Sequence, residues 1–403
     1  MTILPERRLD NWIASYLEFT KSHVAIEAFH YWTALGILSA TVNSNRWMDA
    51  GHHTLYPNLY ILFIGPPGIG KSSSSGIGIR ILKDAKVKLN VFADSITAAG
   101  LIDFMSFATL TETSDSIVRT WTPAIVYASE IGTMLNTRNS LGELTTILTE
   151  LFNKEDDWEA RKATNHTKTI VKKPNVTFFA CCYPEWLDEN LTSTSLRSGF
   201  LGRMLIVQAN KKRWKGSKPL SAANHLLRHD LIHDLSILSL YRGEMTWSPD
   251  AKVAFDKLVE EQPLDFSDAG QESMEVQGFI SRKVQYVQRI AMLHAISDRS
   301  VRHIVRLEDF EFGLKQIEMC EFSTKRVKPK PQHVKNKLSV REKILHLVKK
   351  TNSDTIPIRK IIPYFYNKLS LEEVNKSIEE LCAVGFCDLV GRKVKVLDMG
   401  AGE

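Results

Sequence analysis

The residues best suited to chemistry lie at positions 60–75, where the sequence reads YILFIGPPGIGKSSSS. An apolar run leads directly into glycines, whose large loss of entropy on ordering indicates that something approaches the main chain closely. The pattern GxxxxGK[ST] offers N–H groups that surround phosphates, a lysine for the outer phosphates and a hydroxyl for Mg²⁺. We therefore expect ATP here, with Mg²⁺ on Ser72. The residues expected to bind the nucleotide are Gly65, Pro66, Pro67, Gly68, Ile69, Gly70, Lys71, Ser72 and Ser73.

A carboxylate that could orient the attacking water stands in PAIVYASE, residues 123–130. Hydrolysis needs such a group, and Glu130 follows an apolar run that reads as a buried strand. Ser129 occupies the position at which such NTPases usually carry an aspartate for the metal, and it could act there through water. The alternative is that Glu130 only ends the strand. Lys71 and Glu130 are the predicted catalytic pair.

These residues need a scaffold that brings strand ends together. Apolar runs recur with helical stretches between them, at 59–64, 91–94, 124–128, 176–182 and 203–209. Strands that alternate with helices predict an α/β fold with a parallel sheet covered on both faces. Helical patterns also precede the first strand, over 9–48, and follow the last, over 249–297 and 300–322.

The C-terminal part has a different composition. Residues 325–337 are polar, basic and proline-bearing, as in a linker. Three predicted helices (VREKILHLVKK, IPIRKIIPYFYN and SLEEVNKSIEELCAVG) and a predicted hairpin at 386–398 follow, which is the winged-helix arrangement. Residues 323–403 carry 17 Lys+Arg against 9 Asp+Glu, while the rest is nearly neutral. A polyanion partner would explain this excess, and a solvated basic face is the alternative.

Composition limits the class of protein. The 403 residues are 43% hydrophobic and 24% charged, a globular mixture. We find no apolar run of about 18 residues and no secretory signal, and so expect a cytoplasmic protein without a membrane partner. The 5 cysteines include no CxxC pair, which argues against a zinc centre or a disulfide framework.

Four segments of the chain resemble one known family. They are similar to the AAA+ ATPases of phages and plasmids that are encoded beside or fused to primases, which are in turn similar to the MCM replicative helicases. The segments, between about Trp32 and Ile296, are LYPNLYILFIGPPGIGKSS, YASEIGTML, GFLGRMLIV and ISRKVQYVQRIAMLHAIS. With the resemblance, the expected domains are an N-terminal helical region (1–54), an AAA+ core (55–215), a helical lid region (216–322), a basic linker (323–338) and a winged-helix domain (339–403).

The resemblance also implies roles that spacing alone does not assign. Arg203 falls where MCM-like proteins carry an arginine finger that reaches the γ-phosphate of a neighbouring subunit, with Arg197 as the competing candidate. Arg282 corresponds to the sensor-2 arginine, with Arg289 as the second choice. A finger of this kind implies a homo-oligomeric ring, typically a hexamer. At sensor 1 the family's Asn or Thr is replaced by Cys182-Tyr183, and core packing is the simpler role for Cys182.

Two segments could contact nucleic acid. In MCM-like ATPases the interval that corresponds to residues 154–175 holds a β-hairpin that grips the DNA backbone. The residues that could contact phosphates there are Arg161, Lys162, Lys168, Lys172 and Lys173. A solvated hairpin is the alternative. In the winged-helix candidate the third helix is acidic, and the basic tip with Arg392, Lys393 and Lys395 is better suited to contact the DNA backbone. A protein-interaction or structural role is the alternative for this domain.

Three functions remain open from the sequence. The first is a ring-forming ATP-dependent helicase or translocase on single-stranded or forked DNA, in phage or plasmid replication, with a primase or polymerase encoded nearby. The second is an ATP-gated replication initiator or helicase loader, which the missing aspartate before Glu130 favours. The third is an ATPase of a defence or transposition system with a protein partner.

Overall fold

The chain forms two units, Met1–Lys328 and Pro329–Glu403, in a computed structural model of the 403 residues. The structure describes residues 5–93, 96–114, 117–135, 140–161, 168–190, 199–263, 274–300, 302–326, 355–357, 378, 382, 387–390 and 393–396. No helix within these ranges combines the length and the apolar character that a membrane span needs.

Helices and strands alternate through the first unit. Its helices are α1 (Trp12–Phe19), α2 (Glu27–Val42), α3 (Lys71–Asp84), α4 (Ala98–Phe107), α5 (Ile131–Leu135), α6 (Ser140–Leu151), α7 (Pro184–Asn190), α8 (Ala222–Leu238), α9 (Pro249–Glu260), α10 (Met274–Ile280), α11 (Lys283–Ser297) and α12 (Leu307–Arg326). Its strands are β1 (Arg46–Asp49), β2 (Thr54–Leu55), β3 (Tyr60–Ile64), β4 (Asn90–Ala93), β5 (Leu110–Ser114), β6 (Ile117–Ala128), β7 (Trp158–Arg161), β8 (Lys168–Val171), β9 (Pro174–Cys182), β10 (Leu205–Gln208), β11 (Gly243–Glu244), β12 (Thr246–Trp247) and β13 (Ile304–Val305).

A largely parallel sheet forms the centre of this unit. Its strand order is β10-β3-β9-β6-β4, with β5 paired antiparallel to β6. Every residue of β3 and β9 is buried, as continuous apolar runs require when helices cover both faces of a sheet. The five apolar runs predicted as strands all lie in this sheet, so the prediction of an α/β fold with a parallel sheet is confirmed. Strand β6 begins seven residues before its predicted run, at Ile117.

Helices α2 and α3 lie close together against the sheet. A Cβ on Gly36 of α2 would lie 3.0 Å from Ile61 Cδ1 in β3, and one on Gly78 of α3 would lie 2.4 Å from Thr33 Cγ2 in α2. The hydroxyls of Ser39 and Thr177 form a 2.8 Å hydrogen bond between α2 and β9. Helix α2 is therefore part of the core that supports β3 and β9.

The C-terminal helices of the first unit pack on one another. Gly313 of α12 lies so near α11 that a Cβ there would be 2.8 Å from Val287 O. The buried Arg7 forms a 3.2 Å salt bridge with Asp234 of α8, which ties the start of the chain to this helical part.

In the second unit the structure describes three strands, β14 (Thr355–Pro357), β15 (Cys387–Val390) and β16 (Lys393–Val396). They pair antiparallel in the order β14-β16-β15, so the predicted hairpin at 386–398 is present. Ile356 and Pro357 were expected in a helix and instead belong to β14, an edge strand that ends at Pro357, and such a position tolerates a proline. Most residues of the three helices predicted for this unit lie outside the described residues, as do linker residues 327–337.

Two glycines of α3 test how tightly α2 and α3 pack. We expect Gly78→Ala to lower the free energy of unfolding by about 1–3 kcal/mol relative to Gly76→Ala, because only Gly78 faces atoms of α2 closer than 3.0 Å. Both changes gain the same helix propensity, so their difference isolates packing. Urea unfolding followed by tryptophan fluorescence measures it, since all 8 tryptophans precede residue 329. Equal stabilities of the two variants would contradict this packing.

Candidate functional site

The glycine-rich loop connects β3 to α3 at the carboxyl edge of the sheet. A Cβ on Gly65 would lie 2.3 Å from Ala209 O, and Gly70 has a φ of 94° and would place a Cβ 2.8 Å from Ala25 Cβ. Side chains are thus excluded at both ends of the loop by close neighbours and by backbone conformation. Pro67 and Gly68 in the middle of the loop are exposed, and the loop leads into the N-terminus of a 14-residue helix, where N–H groups and the helix dipole favour an anion.

Lys71 and Ser72 begin that helix. Lys71 Nζ donates hydrogen bonds to Gly65 O (2.5 Å) and Pro66 O (3.0 Å), so the ammonium group lies against the loop itself. Ser73 Oγ donates to Gly70 O at 3.1 Å. The exposed Ser72 hydroxyl makes no hydrogen bond in the part of the chain that the structure describes, which leaves an oxygen ligand available beside the loop.

Glu130 lies at the same edge, two residues after β6. Because β9 lies between β3 and β6, the Lys71 and Glu130 strands are roughly 10 Å apart, twice the usual strand spacing. Burial raises the pKa of Glu130, and the Lys71 charge and the N–H of Gly132 oppose that shift. Its Oε1 is buried with no hydrogen-bond partner among the described residues. This carboxylate oxygen is therefore free to accept a hydrogen bond from a bound molecule.

Cys182 ends β9, between these two strands. Burial, and then the negative charge of Glu130, raise the pKa of its thiol, so the group stays protonated. Its Sγ lies 3.1 Å from Tyr183 O. The expected core-packing role fits its complete burial. Its electrostatic coupling to Glu130 and Lys71 also places it beside the site.

A cavity of about 780 Å³ opens next to the loop. Two of its lining residues adjoin the loop: Ala209, whose carbonyl approaches Gly65, and Ile26, which follows Ala25. Met319 and Phe322 of α12 line the opposite side and are more than half exposed. Sequence reasoning missed this cavity because its walls come from three distant segments without a shared motif.

Arg203 and Arg282 come together, but at the opposite edge of the sheet. Arg203 ends a 3₁₀ turn (Leu201–Arg203) just before β10. The four residues of β10 pair with the last four residues of β3, which the loop follows. At ~3.3 Å per residue, these four residues separate Arg203 from the loop by roughly 13 Å along the strands. Burial, and then the charge of Arg282, lower the pKa of Arg203. Their guanidinium groups donate to main-chain oxygens, of Gly199 (2.7 Å) and Gly278 (2.6 Å) respectively. Neither arginine forms an ion pair with a described residue.

Arg289, the second choice for sensor 2, has a different environment. It is 2% exposed, and its guanidinium donates to Asn58 Oδ1 at 2.5 Å, to Asn153 Oδ1 at 2.6 Å and to Asn58 O. The guanidinium carbon lies 4.6 Å from the centre of the Phe152 ring. These contacts fix α11 to the segment that enters β3. Arg197, the competing finger candidate, lies outside the described residues.

The predicted hairpin between Glu130 and β9 is present as the antiparallel pair β7–β8. Lys168 forms a 2.6 Å salt bridge with Glu159, and Lys172 a 2.7 Å salt bridge with Asp157. Lys173 makes no salt bridge within the described ranges. The Arg161 side chain, Lys162 and the wing residue Arg392 lie outside the described part, whereas Lys393 and Lys395 belong to β16.

No protein-family model matches this chain, and a search of curated proteins finds no significant match. The geometry of the site itself is therefore the basis for inferring function. One edge of the sheet carries the glycine-rich loop, a lysine and a carboxylate, and the other edge carries two arginines that form no ion pair with any described residue.

We expect Arg289→Ala to destabilise the first unit by about 2–4 kcal/mol, because it leaves buried amide and carbonyl oxygens without a donor. Arg282→Ala is the matched control and should change stability by less than about 1 kcal/mol, because its guanidinium is partly exposed. Urea unfolding of the two variants makes the comparison. Equal losses would contradict the assignment of a structural role to Arg289 alone.

Proposed function

We propose that this protein is a ring-forming AAA+ ATPase, similar to MCM helicases, that couples ATP hydrolysis to movement on DNA. The observation that carries the proposal is the separation of two half-sites: Lys71 and Glu130 at one edge of the sheet, Arg203 and Arg282 at the other. We infer that it acts in the cytoplasm on replicating phage or plasmid DNA, beside a primase or polymerase.

Binding of the triphosphate would use the loop and α3. The main-chain N–H groups of residues 65–72 would surround the phosphates, and Lys71 would exchange its loop carbonyls for the outer phosphate oxygens. Ser72, whose hydroxyl is unengaged, would hold Mg²⁺, with Ser129 contributing through water; the ion would neutralise phosphate charge. The cavity beside Gly65 would hold the nucleoside.

Hydrolysis would use Glu130 as the group that orients and deprotonates water. The water oxygen would bond to the γ-phosphorus while the bond to the ADP oxygen breaks, and Glu130 would take the proton. Its unpartnered Oε1 supports this role, and a raised pKa makes the carboxylate a stronger base. The ionised form of Glu130 is the active one, and its pKa is raised. As the pH is lowered, activity should therefore begin to fall at a higher pH than the one at which an ordinary glutamate becomes protonated.

The two arginines would act on a neighbouring subunit. Within one chain β3 separates them from the loop, so a head-to-tail contact is needed to bring them to a γ-phosphate. Their missing acidic partners support this role, since a salt bridge would compete with a phosphate. An arginine finger of this kind contributes about 10³–10⁵ in rate.

A replication initiator or helicase loader is the second candidate. Ser129 in the place of an aspartate favours slow hydrolysis. The antiparallel strands of the second unit, with Lys393 and Lys395 on β16, favour a domain that binds DNA independently of the motor. In both cases the β7–β8 hairpin would contact the DNA backbone.

Mixing two inactive variants tests the shared site. Lys71→Ala removes the loop lysine and Arg203→Ala removes the finger, and each alone should lower ATP turnover by about 10³-fold or more. In an equal mixture about a quarter of the interfaces combine an intact loop with an intact finger, so activity should return. Mixing Lys71→Ala with Lys71→Ala,Arg203→Ala is the control and should stay inactive. A mixture that remains inactive although the two variants co-assemble would contradict action between subunits.

Glu130→Gln tests hydrolysis and motor function together. We expect the variant to bind ATP but to lose about 10²–10⁴ in turnover, and to separate no strands of forked DNA. Glu185→Gln, an exposed glutamate early in α7, is the control and should retain both activities. ATP hydrolysis by the wild type without strand separation would contradict the motor and leave the initiator or loader. Turnover in Glu130→Gln equal to the wild type would contradict the role of Glu130.

A further inference from the structure

A second cavity lies at the amino-terminal edge of the central sheet, where the nucleotide site does not extend. Its volume is about 230 Å³. Three aromatic side chains line it: Trp47, Tyr56 and Trp121. Four basic side chains join them: Arg119, Lys154, Lys173 and Arg242. We name this group the aromatic–basic pocket.

The basic residues of this pocket form no salt bridges within the described ranges. None of the four forms a salt bridge with another residue in the described ranges, whereas Lys168 and Lys172 on the nearby hairpin each do. Glu155 also lines the pocket, and its Oε2 accepts a hydrogen bond from Thr54 N at 2.9 Å. The pocket therefore has an excess of positive charge that its own residues do not neutralise.

Neutral groups hold Arg119 in place. Its Nη1 donates to Asn45 Oδ1 at 2.7 Å, and its Nη2 donates to Ser44 O at 2.7 Å and to Ser44 Oγ at 2.8 Å. Its guanidinium carbon lies 4.1 Å from the centre of the Trp121 ring. Burial, and then the charge of Arg242, lower the pKa of Arg119 to about 10, so it stays charged at neutral pH. Glu112 lies opposite Arg119 on β5 and its charge acts on the guanidinium, but the two form no salt bridge. A fixed cation that no carboxylate contacts directly is suited to an external anion.

Aromatic surface lies next to these cations. The Arg242 guanidinium carbon is 5.9 Å from the Trp47 ring centre, and Trp47 and Tyr56 are only half-buried. Trp121 Nε1 is buried without a hydrogen-bond partner among the described residues. A further cavity of about 290 Å³ shares Trp121 and Arg242 as a wall and is lined also by Lys88 and Glu112. Two small cavities in a row suit successive units of a polymer.

Both ends of the β7–β8 hairpin lie at this pocket. Lys154 precedes β7, and Lys173 lies between β8 and β9. Unpaired cations interleaved with aromatic rings are the combination by which proteins hold single strands, with phosphates on the cations and bases stacked on the rings. In a duplex the bases are already stacked on each other, so the rings would have no partner.

We propose that the aromatic–basic pocket binds single-stranded DNA that reaches it from the β7–β8 hairpin. Bases stack on Trp47 and Tyr56, and phosphates bind Arg119, Arg242 and Lys154. The proposal rests on the DNA-dependent function proposed above, and it assigns the contact to residues outside the hairpin.

Charge reversal in the pocket provides the test. We expect Arg242→Glu and Lys154→Glu each to weaken binding of a fluorescein-labelled oligothymidylate by roughly tenfold and to lower the salt slope by about 0.7 per lost phosphate contact. Lys257→Glu, on a side chain of α9 that is 76% exposed, makes the same charge change elsewhere and should bind as the wild type does. Fluorescence anisotropy without ATP measures the affinities, and thermal unfolding confirms that each variant is folded.

Stacking is tested separately. Trp47→Leu should weaken binding of the same oligonucleotide by roughly tenfold and leave the salt slope unchanged, because the substitution removes a ring and no charge. Polyglutamate, which offers charge without bases, should compete poorly against the wild type.

Three results would overturn the pocket while leaving ATP hydrolysis intact. They are unchanged DNA affinity in both Arg242→Glu and Lys154→Glu, an equal loss in Lys257→Glu, and competition by polyglutamate as strong as by unlabelled oligothymidylate. Absence of ATP turnover in the wild type would instead contradict the function proposed above, so the two failures are distinguishable.

Discussion

The insertion of β9 between β3 and β6 is the constraint on which the rest of the molecule depends. It holds the Lys71 loop and Glu130 two strand spacings apart, which leaves room for a phosphate and a water between them. Because β3, β4, β6, β9 and β10 are parallel, the residues that directly follow these five strands lie at that edge, and the residues that directly precede them lie at the other. Arg203, just before β10, is thereby kept away from the loop of its own chain.

The distribution of cations follows the same division. At the amino-terminal edge Arg203, Arg282, Arg119 and Arg242 form no salt bridges with described residues, and neutral groups accept hydrogen bonds from the first three of them. Arg289 shows the contrast, since it is buried and donates hydrogen bonds to oxygens of Asn58 and Asn153. An edge with several uncompensated guanidinium groups is suited to anions from outside the chain. A neighbouring subunit's triphosphate and a DNA strand are the two anions that the proposed function supplies.

Sequence predicted the parts of the fold that depend on local pattern. The five strands could be recognised because a strand buried on both faces is a continuous apolar run. The glycine-rich loop could be located because no side chain fits at Gly65 or Gly70, so both positions require glycine. The strand order was not specified by the runs themselves, since it depends on contacts far apart in sequence. The N-terminal half of β6 was missed because Arg119, Thr120 and Thr122 interrupt the apolar pattern there. The salt bridges of Lys168 and Lys172 depend on the register of β7 and β8, which residue types do not give. The aromatic–basic pocket draws on five segments, between Ser44 and Arg242, that have no motif in common.

Electron cryomicroscopy of the protein with Mg²⁺, a non-hydrolysable ATP analogue and single-stranded DNA tests the central claim most directly. The account predicts a closed or spiral ring in which the γ-phosphate lies between Lys71 of one subunit and Arg203 of the next. Particles that stay monomeric with the analogue bound, or a ring in which Arg203 lies away from every phosphate, would contradict it.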